Sequence, residues 1–331
     1  MKVSVLGAGS WGTTVASLTS GRHHTTLWAR DPAVATEVQQ HHTNEGYLPG
    51  FTLHRKLCAT ADLEEAVGDA ELLIVGVPSQ GFRAVLETAK PFIRPWIPVV
   101  SLSKGLEAGS LLRMTQVIKE VLPGRPAAAL TGPNIAREIM AGQAAAAVIA
   151  TEDLDVAAAL QEVLQRGVFR IYTNHDVIGC ELGGALKNVI AIATGMAQGL
   201  GVGDNTRATV ITRGLAELSR LGVAMGGEAA TFSGLTGMGD LVATCVSPSS
   251  RNRQVGEQLG QGRALVDILA EMKMVAEGVK TAVTVQELAH RHGVAMPVCE
   301  AIHRVIIGES KAVDAYRGLQ RQSAGHEAEP G

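Results

Sequence analysis

The sequence predicts an α/β protein whose N-terminal half is a doubly wound sheet and whose C-terminal half is all-helical. Three observations carry this. Up to about Asn174, short runs rich in Val, Ile and Leu alternate with longer stretches of helical spacing, the texture of a parallel sheet covered on both faces. Beyond Asn174, long segments rich in Ala, Gly and Leu follow with no convincing strand. The chain's 331 residues, 46% hydrophobic and 18% charged, supply cores for two domains without disulfides.

The first strand is expected from Lys2 to Leu6, turning sharply into a helix from about Ser10 to Ser20. Between them GAGSWG places Gly7, Gly9 and Gly12 at the spacing G-x-G-x-x-G. Such a turn needs one residue free at positive φ, a second without a side chain so that a pyrophosphate can approach, and a third that lets helix and strand pack closely. The anion would meet the free N–H groups and positive dipole end of the helix. A glycine turn after a strand is also an ordinary connection, so the loop by itself leaves both readings open. The next run, TTLWA, leads into Arg30, eighteen residues past Gly12, and then Asp31. An acidic residue there binds the ribose 2′-OH of NAD, whereas arginine accommodates a 2′-phosphate. The reading leans to NADP(H), with Asp31 keeping NAD open.

The later strands supply more of the same edge. ELLIVGV is followed by Pro78 and Ser79, IPVVSL by SKGLE with Lys104, and AAALT by GPNIAREI, a Gly-Pro turn that opens a helix with Asn134 near its start. Helices are expected over Leu111 to Val121 and Asp155 to Gln165, beside the runs AAAVIA and VFRIY. Ligands of open parallel sheets bind beyond the carboxyl ends of the strands. Residues 1–174 therefore read as a Rossmann-like dinucleotide-binding domain, and 175–321 as a helical substrate and catalytic domain. The tail from 322 to 331 has no apolar face and is expected to be disordered.

Two features of the second half suggest chemistry. ELGGALKNVIAIATGMAQGLG reads as a buried helix with one uncomfortable charge, Lys187. Gly183, Gly184 and Ala191 lie one turn away on the same face, leaving space beside the ammonium that suits a ligand. A desolvated lysine has a lowered pKa, as proton transfer requires, and Asn188 beside it can donate or accept a hydrogen bond. The alternative is a lysine that snorkels from a helix end. Further on, a Gly-rich turn leads to Asp240, and SPSS caps a helix beginning SRNR. Arg251 and Arg253 in a first turn oppose the helix dipole. A phosphate gripped by arginine, Asn252 and backbone N–H groups resolves that conflict; a solvated arginine pair is the other reading, better suited to Arg253.

Composition narrows the partners. A formal net charge of −3 gives no basic field for nucleic acid. Cys58, Cys180, Cys245 and Cys299 are far apart and show no metal or redox spacing, which fits a reducing cytoplasm, and the histidines show no metal-binding pattern. The opening apolar run, about five residues long, is too short for a secretory signal, and the most apolar helical stretch, near Val189 to Ala197, is expected to be too short to cross a bilayer. The Ala and Gly faces of the second half give the expectation of a homodimer.

In the order and spacing of GAGSWGTT, LWARDP, NEGYLPG, SKGLE, GPNIAREI, ELGGALKNVIAIATG, NTRATVITRGLAELSRLG, GLTGMGDLVATC, SRNRQVG and VAEGVKT, the chain from Met1 to about Val305 resembles bacterial NAD(P)-dependent sn-glycerol-3-phosphate dehydrogenase. The resemblance implies interconversion of sn-glycerol 3-phosphate and dihydroxyacetone phosphate, supplying phospholipid synthesis. It also implies Lys187 as general acid/base at the C2 oxygen and Lys104 contacting cofactor and substrate. Asp240 would hydrogen-bond near the reacting centre, and Arg251 and Asn252 would hold the phosphate, with Arg251 also close to the cofactor. Ser10, Trp11, Arg30, Ala136, Val275 and Glu277 would line the dinucleotide site, and Gly132 and Asn134 the substrate side. Where that family often reads Gly-Pro-Ser, this chain has Asn134, which keeps a polar group and alters its reach. The competing readings are a related two-domain hydroxyacid or sugar-acid-phosphate dehydrogenase, which would want a carboxylate clamp, and a non-catalytic dinucleotide sensor.

Overall fold

A computed structural model describes residues 1–272 and 276–320; the tail expected to be disordered lies outside the described residues, as does Val275. By its internal contacts the chain divides into two compact units, one of residues 1–104 and 112–177, the other of 105–111 and 178–331. The change of sequence texture near Asn174 foreshadows the later division but gives no sign of the seven-residue excursion. Leu106 and Leu111, 2% and 6% exposed, belong to the second unit's apolar core.

In chain order the first unit runs β1 (Lys2–Leu6), α1 (Ser10–Thr19), β2 (His24–Trp28), α2 (Pro32–His41), β3 (Cys58–Thr60), α3 (Leu63–Val67), β4 (Leu72–Val75) and α4 (Ser79–Ala89). It continues with β5 (Val99–Ser101), α5 (Met114–Val121), β6 (Ala127–Thr131), α6 (Ala136–Met140), β7 (Ala145–Ala150), α7 (Leu154–Leu164) and β8 (Phe169–Asn174). The strands form one sheet in the order β3-β2-β1-β4-β5-β6-β7-β8. Chain order reverses between β1 and β4, so the glycine loop after β1 opens at the switch point where such sheets bind ligands. Side chains alternate between the two faces: Leu72 and Ile74 enter one core, Leu73 and Val75 the other.

This unit departs from the expectations at three points. The sheet is not wholly parallel, because β7 runs antiparallel to β6. A parallel return needs a crossover helix that spans the strand. The five residues of α6 rise only about 7.5 Å, less than half the roughly 16 Å of a five-residue strand. The eleven-residue α7 does make a crossover, and β8 is parallel to β7. Second, the helix expected from Leu111 begins at Met114, because Leu111 takes φ 61° in the left-handed region. Third, β3 was not legible: three residues are too few for a periodic signal.

The second unit contains α8 (Val177–Gly199), α9 (Asp204–Ala224), α10 (Ala229–Phe232), a π-helical turn (Leu235–Gly239), α11 (Asp240–Val246), α12 (Arg251–Gly260), α13 (Leu265–Glu271), α14 (Glu277–His292), α15 (Pro297–Ile306) and α16 (Ala312–Gln320). The expected bar to membrane crossing by length fails, since the 23 residues of α8 are long and apolar enough. Burial is the better reason to read it as a core helix: 94% of its most apolar window lies inside the protein. Glycines let α12 cross α8 at backbone contact. A Cβ on Gly195 would lie 2.0 Å from the Arg253 carbonyl oxygen, and one on Gly256 2.0 Å from that of Ile192. Gly199 and Gly260, one turn further on each helix, are as tightly opposed.

Candidate functional site

The glycine loop divides the three tasks expected of it. Gly7 takes φ 110°, and a Cβ there would meet the Gly76 carbonyl oxygen at 2.7 Å. A Cβ on Gly12 would lie 2.0 Å from the Gly7 carbonyl oxygen, so only glycine lets α1 pack this close. Gly9 faces open space, with nothing beyond its chain neighbours within 4 Å of the missing Cβ. The start of α1 carries neither a side-chain cap nor an acidic residue, and its first N–H groups lack intrahelical acceptors. An open face at Gly9 beside such a helix start fits a dinucleotide pyrophosphate. The Ser10 hydroxyl donates to the Tyr47 carbonyl at 2.6 Å. Trp11 stands edge-on to Phe169 at 5.9 Å, and its Nε1 is buried without a partner among the described residues.

Arg30 and Asp31 differ in what they are already doing. Asp31 caps α2, its Oδ1 accepting from the Ala33 N–H at 2.9 Å. Arg30, immediately before it, is exposed. At the ends of the central strands, the Lys104 ammonium donates to the Gly132 carbonyl at 2.7 Å, joining the β5 and β6 ends. Gly132 takes φ 119° against the β7 backbone. Asn134 has both amide atoms buried and unpartnered among the described residues, and Ala136 opens α6. A buried carboxamide without partners leaves several kcal/mol of hydrogen bonding to be recovered by a ligand.

In the second unit Lys187 is not at a helix end. It lies mid-way along α8, 4% exposed, so snorkelling to water is excluded. Its Nζ donates to Asp240 Oδ1 at 2.6 Å and to the Thr244 hydroxyl. The Thr244 hydroxyl in turn donates to the Asp240 carbonyl at 2.6 Å. Asp240 is 2% exposed, placed by the π-helical turn that runs straight into α11. The space expected beside Gly183 is not a ligand's: a Cβ there would lie 2.6 Å from the Thr236 carbonyl oxygen, so that turn fills it. Burial of an ion pair is weak support for stability, which turns attention to its chemistry. The neighbouring Cys245 thiol is pushed up to about 11 by burial and stays protonated beside the pair. Thr244 was missed in sequence, though its place one helical turn after Asp240 is the signal that could have found it.

Asn252 is more committed than expected. Its Nδ2 donates to Asn188 Oδ1 at 2.9 Å and its Oδ1 accepts from the Gly278 N–H at 2.9 Å, tying α8, α12 and α14 together. What it retains for an anion is its second amide hydrogen and its backbone N–H in the first turn of α12. Ser250 caps that helix, as SPSS suggests, accepting from the Arg253 N–H. Arg253 donates to the Ser247 carbonyl at 3.0 Å and pairs with Glu257, which accounts for it structurally. Arg251 keeps part of its surface in solvent, while protein packed around its guanidinium lowers its pKa and the Glu277 carboxylate opposes that shift. Glu277 opens α14, so Arg251, Asn252 and Glu277 are brought together, as are Lys187, Asn188 and Asp240. Among the described residues no group of three His, Cys, Asp or Glu side chains is placed to hold a metal ion.

Residues 2–157 match the family model of the NAD-dependent glycerol-3-phosphate dehydrogenase N-terminus, and residues 176–317 that of its C-terminus. The chain belongs to this family. It is 58% identical over 331 residues to glycerol-3-phosphate dehydrogenase (NAD(P)+) 2 of Sphingopyxis alaskensis, covering all of this chain and 99% of that protein. A Mycobacterium bovis relative, glycerol-3-phosphate dehydrogenase (NAD(P)+) 1, is 52% identical over 98% of this chain and 96% of its own length. The crystal structure of glycerol-3-phosphate dehydrogenase from Coxiella burnetii superposes with a TM-score of 0.93 at 35% identity, covering 97% of this chain and 99% of that one. NAD or NADP is the cofactor of this family of enzymes, and the fold is that of its solved members.

Proposed function

We propose that this chain interconverts dihydroxyacetone phosphate and sn-glycerol 3-phosphate, with NADP(H) preferred over NAD(H), and supplies the ester for phospholipid synthesis in the cytoplasm as a homodimer. Residues 1–174 hold the dinucleotide, through the glycine loop, Trp11, Arg30 and Ala136, and residues 175–321 carry the substrate chemistry. The preference follows from Asp31, which is occupied as a helix cap, beside an exposed Arg30 suited to a 2′-phosphate.

The reading rests on the buried Lys187–Asp240 pair. When bound, the reduced nicotinamide supplies a hydride to C2 of the ketone. Lys187, as ammonium, gives a proton to the C2 oxygen, so carbonyl becomes alcohol. An ammonium has three N–H donors. Asp240 and Thr244 take two, which aims the third, without a partner among the described residues, at the substrate. Arg251, the backbone N–H of Asn252 and its remaining amide hydrogen hold the phosphate, and Lys104, Gly132 and Asn134 contact the rest of the substrate. NADPH absorbance over a panel of ketones tests this. Turnover of dihydroxyacetone phosphate, with Arg251→Ala raising its KM far more than that of unphosphorylated dihydroxyacetone, is expected. Equal effects on the two ketones would remove the phosphate grip, and cofactor binding without turnover would leave a sensor.

A further inference from the structure

The segment NEGYLPG carries no role in the chemistry above, yet its Asn44 is wholly buried in the first unit. Its Nδ2 donates to the Ala8 carbonyl at 2.9 Å and to the Thr13 hydroxyl at 2.9 Å, so both amide hydrogens are spent on the glycine loop and on α1. Its main chain is held within the loop as well, because the Tyr47 and Leu48 N–H groups donate to the Asn44 backbone carbonyl at 3.1 and 2.7 Å, while the side-chain Oδ1 is buried without a partner among the described residues. Leu48, also with no exposed surface, packs beneath. Further along, the Arg137 guanidinium lies 5.3 Å over the Phe51 ring, a second fastening of the same segment to α6.

A trans peptide is planar, and its C=O and N–H point in opposite directions. Fixing the Ala8 carbonyl therefore fixes the Gly9 N–H. That peptide turns about ψ of Ala8 and φ of Gly9, and Gly9 has no Cβ to restrict its φ. We infer that Asn44 is a positioning residue that holds the Ala8–Gly9 peptide with the Gly9 N–H turned away from Asn44, toward the open face of the loop where the dinucleotide pyrophosphate binds. This rests on the dinucleotide reading of the glycine loop. Asn44 touches neither cofactor nor substrate in this account and acts through one peptide plane.

The test is NADPH affinity, by fluorescence titration, and steady-state kinetics of wild type, Asn44→Asp and Asn44→Ser. Asn44→Asp keeps the shape but puts an acceptor against the Ala8 carbonyl. Asn44→Ser keeps a hydroxyl that is too short to reach it. Losing one positioned hydrogen bond is expected to raise the NADPH Kd and KM about tenfold, with kcat and the KM for dihydroxyacetone phosphate within twofold. A merely structural role would instead lower the active fraction and kcat at unchanged KM, and would overturn the inference. So would an NADPH Kd within twofold of wild type in either folded variant, or failure of both variants to fold. If wild type itself does not bind NADPH, it is the dinucleotide reading that falls.

Discussion

The glycine-lined crossing of α8 and α12 allows a sharp test, because both helices carry residues assigned to the chemistry. In Gly256→Ala the new Cβ would lie 2.0 Å from the Ile192 carbonyl oxygen, 1.4 Å short of the 3.4 Å at which ordinary contact begins. Backbone on both sides cannot swing aside, so the helices must part by about that distance. Overpacking of this kind costs about 1–3 kcal/mol. A shift of that size also breaks the 2.9 Å bond between Asn252 and Asn188, worth about 1 kcal/mol more. The variant should lose about 2–4 kcal/mol in urea unfolding. Because Arg251 and Asn252 move with α12 while Lys187 stays on α8, the KM for dihydroxyacetone phosphate should rise more than that for NADPH. Unfolding within about 0.5 kcal/mol of wild type, with both KM values unchanged, would show that the two helices are not packed as described.

Other outcomes follow from charges. Lys187→Met should lower turnover by about 10² to 10⁴ and, by leaving Asp240 buried without its cation, cost about 3–5 kcal/mol of stability. Adding Asp240→Asn should restore most of the stability and none of the turnover, measured by thermal melts and NADPH absorbance; recovery of turnover would exclude Lys187 as the acid. Arg30→Ala should raise the KM for NADPH about tenfold and leave that for NADH unchanged, and parallel rises would deny it the 2′-phosphate. Glu217, 1% exposed, accepts from the Val298 and Cys299 N–H groups at 2.7 and 3.0 Å and so caps α15 from α9. Burial raises its pKa above the ordinary 4.5 despite these bonds. Its contribution is therefore fully present below pH 4.5 and falls as pH climbs through the raised folded value. Urea unfolding between pH 4 and 7 should show that fall in wild type and not in Glu217→Gln; superimposable pH profiles would refute it.

What could be read beforehand depended on how local the cause was. The strands that alternate apolar residues, the glycine loop and the cap at Ser250 are written in short stretches, and each appears where expected. The buried lysine was legible because a lone charge in an apolar helix is conspicuous. Its partner geometry was not, since Asp240 and Thr244 lie 53 and 57 residues away. The bare face near it misled for the same reason: Gly183 read as room for a ligand, and the Thr236 backbone fills it. The reversal of β7 came from a helix too short to recross the sheet, a matter of length that periodicity does not report.

The excursion of residues 105–111 has a consequence for how this chain can be cut. Polypeptide passes from one unit to the other three times, after Lys104, after Leu111 and after Val177. A fragment starting at residue 178 would lack Leu106 and Leu111 and open a hole in its own interior. Exchanging halves between homologues at one junction would pair each helical bundle with a foreign heptapeptide plug. The two bodies are thus not separable cassettes, and recombination that respects them needs three seams, not one.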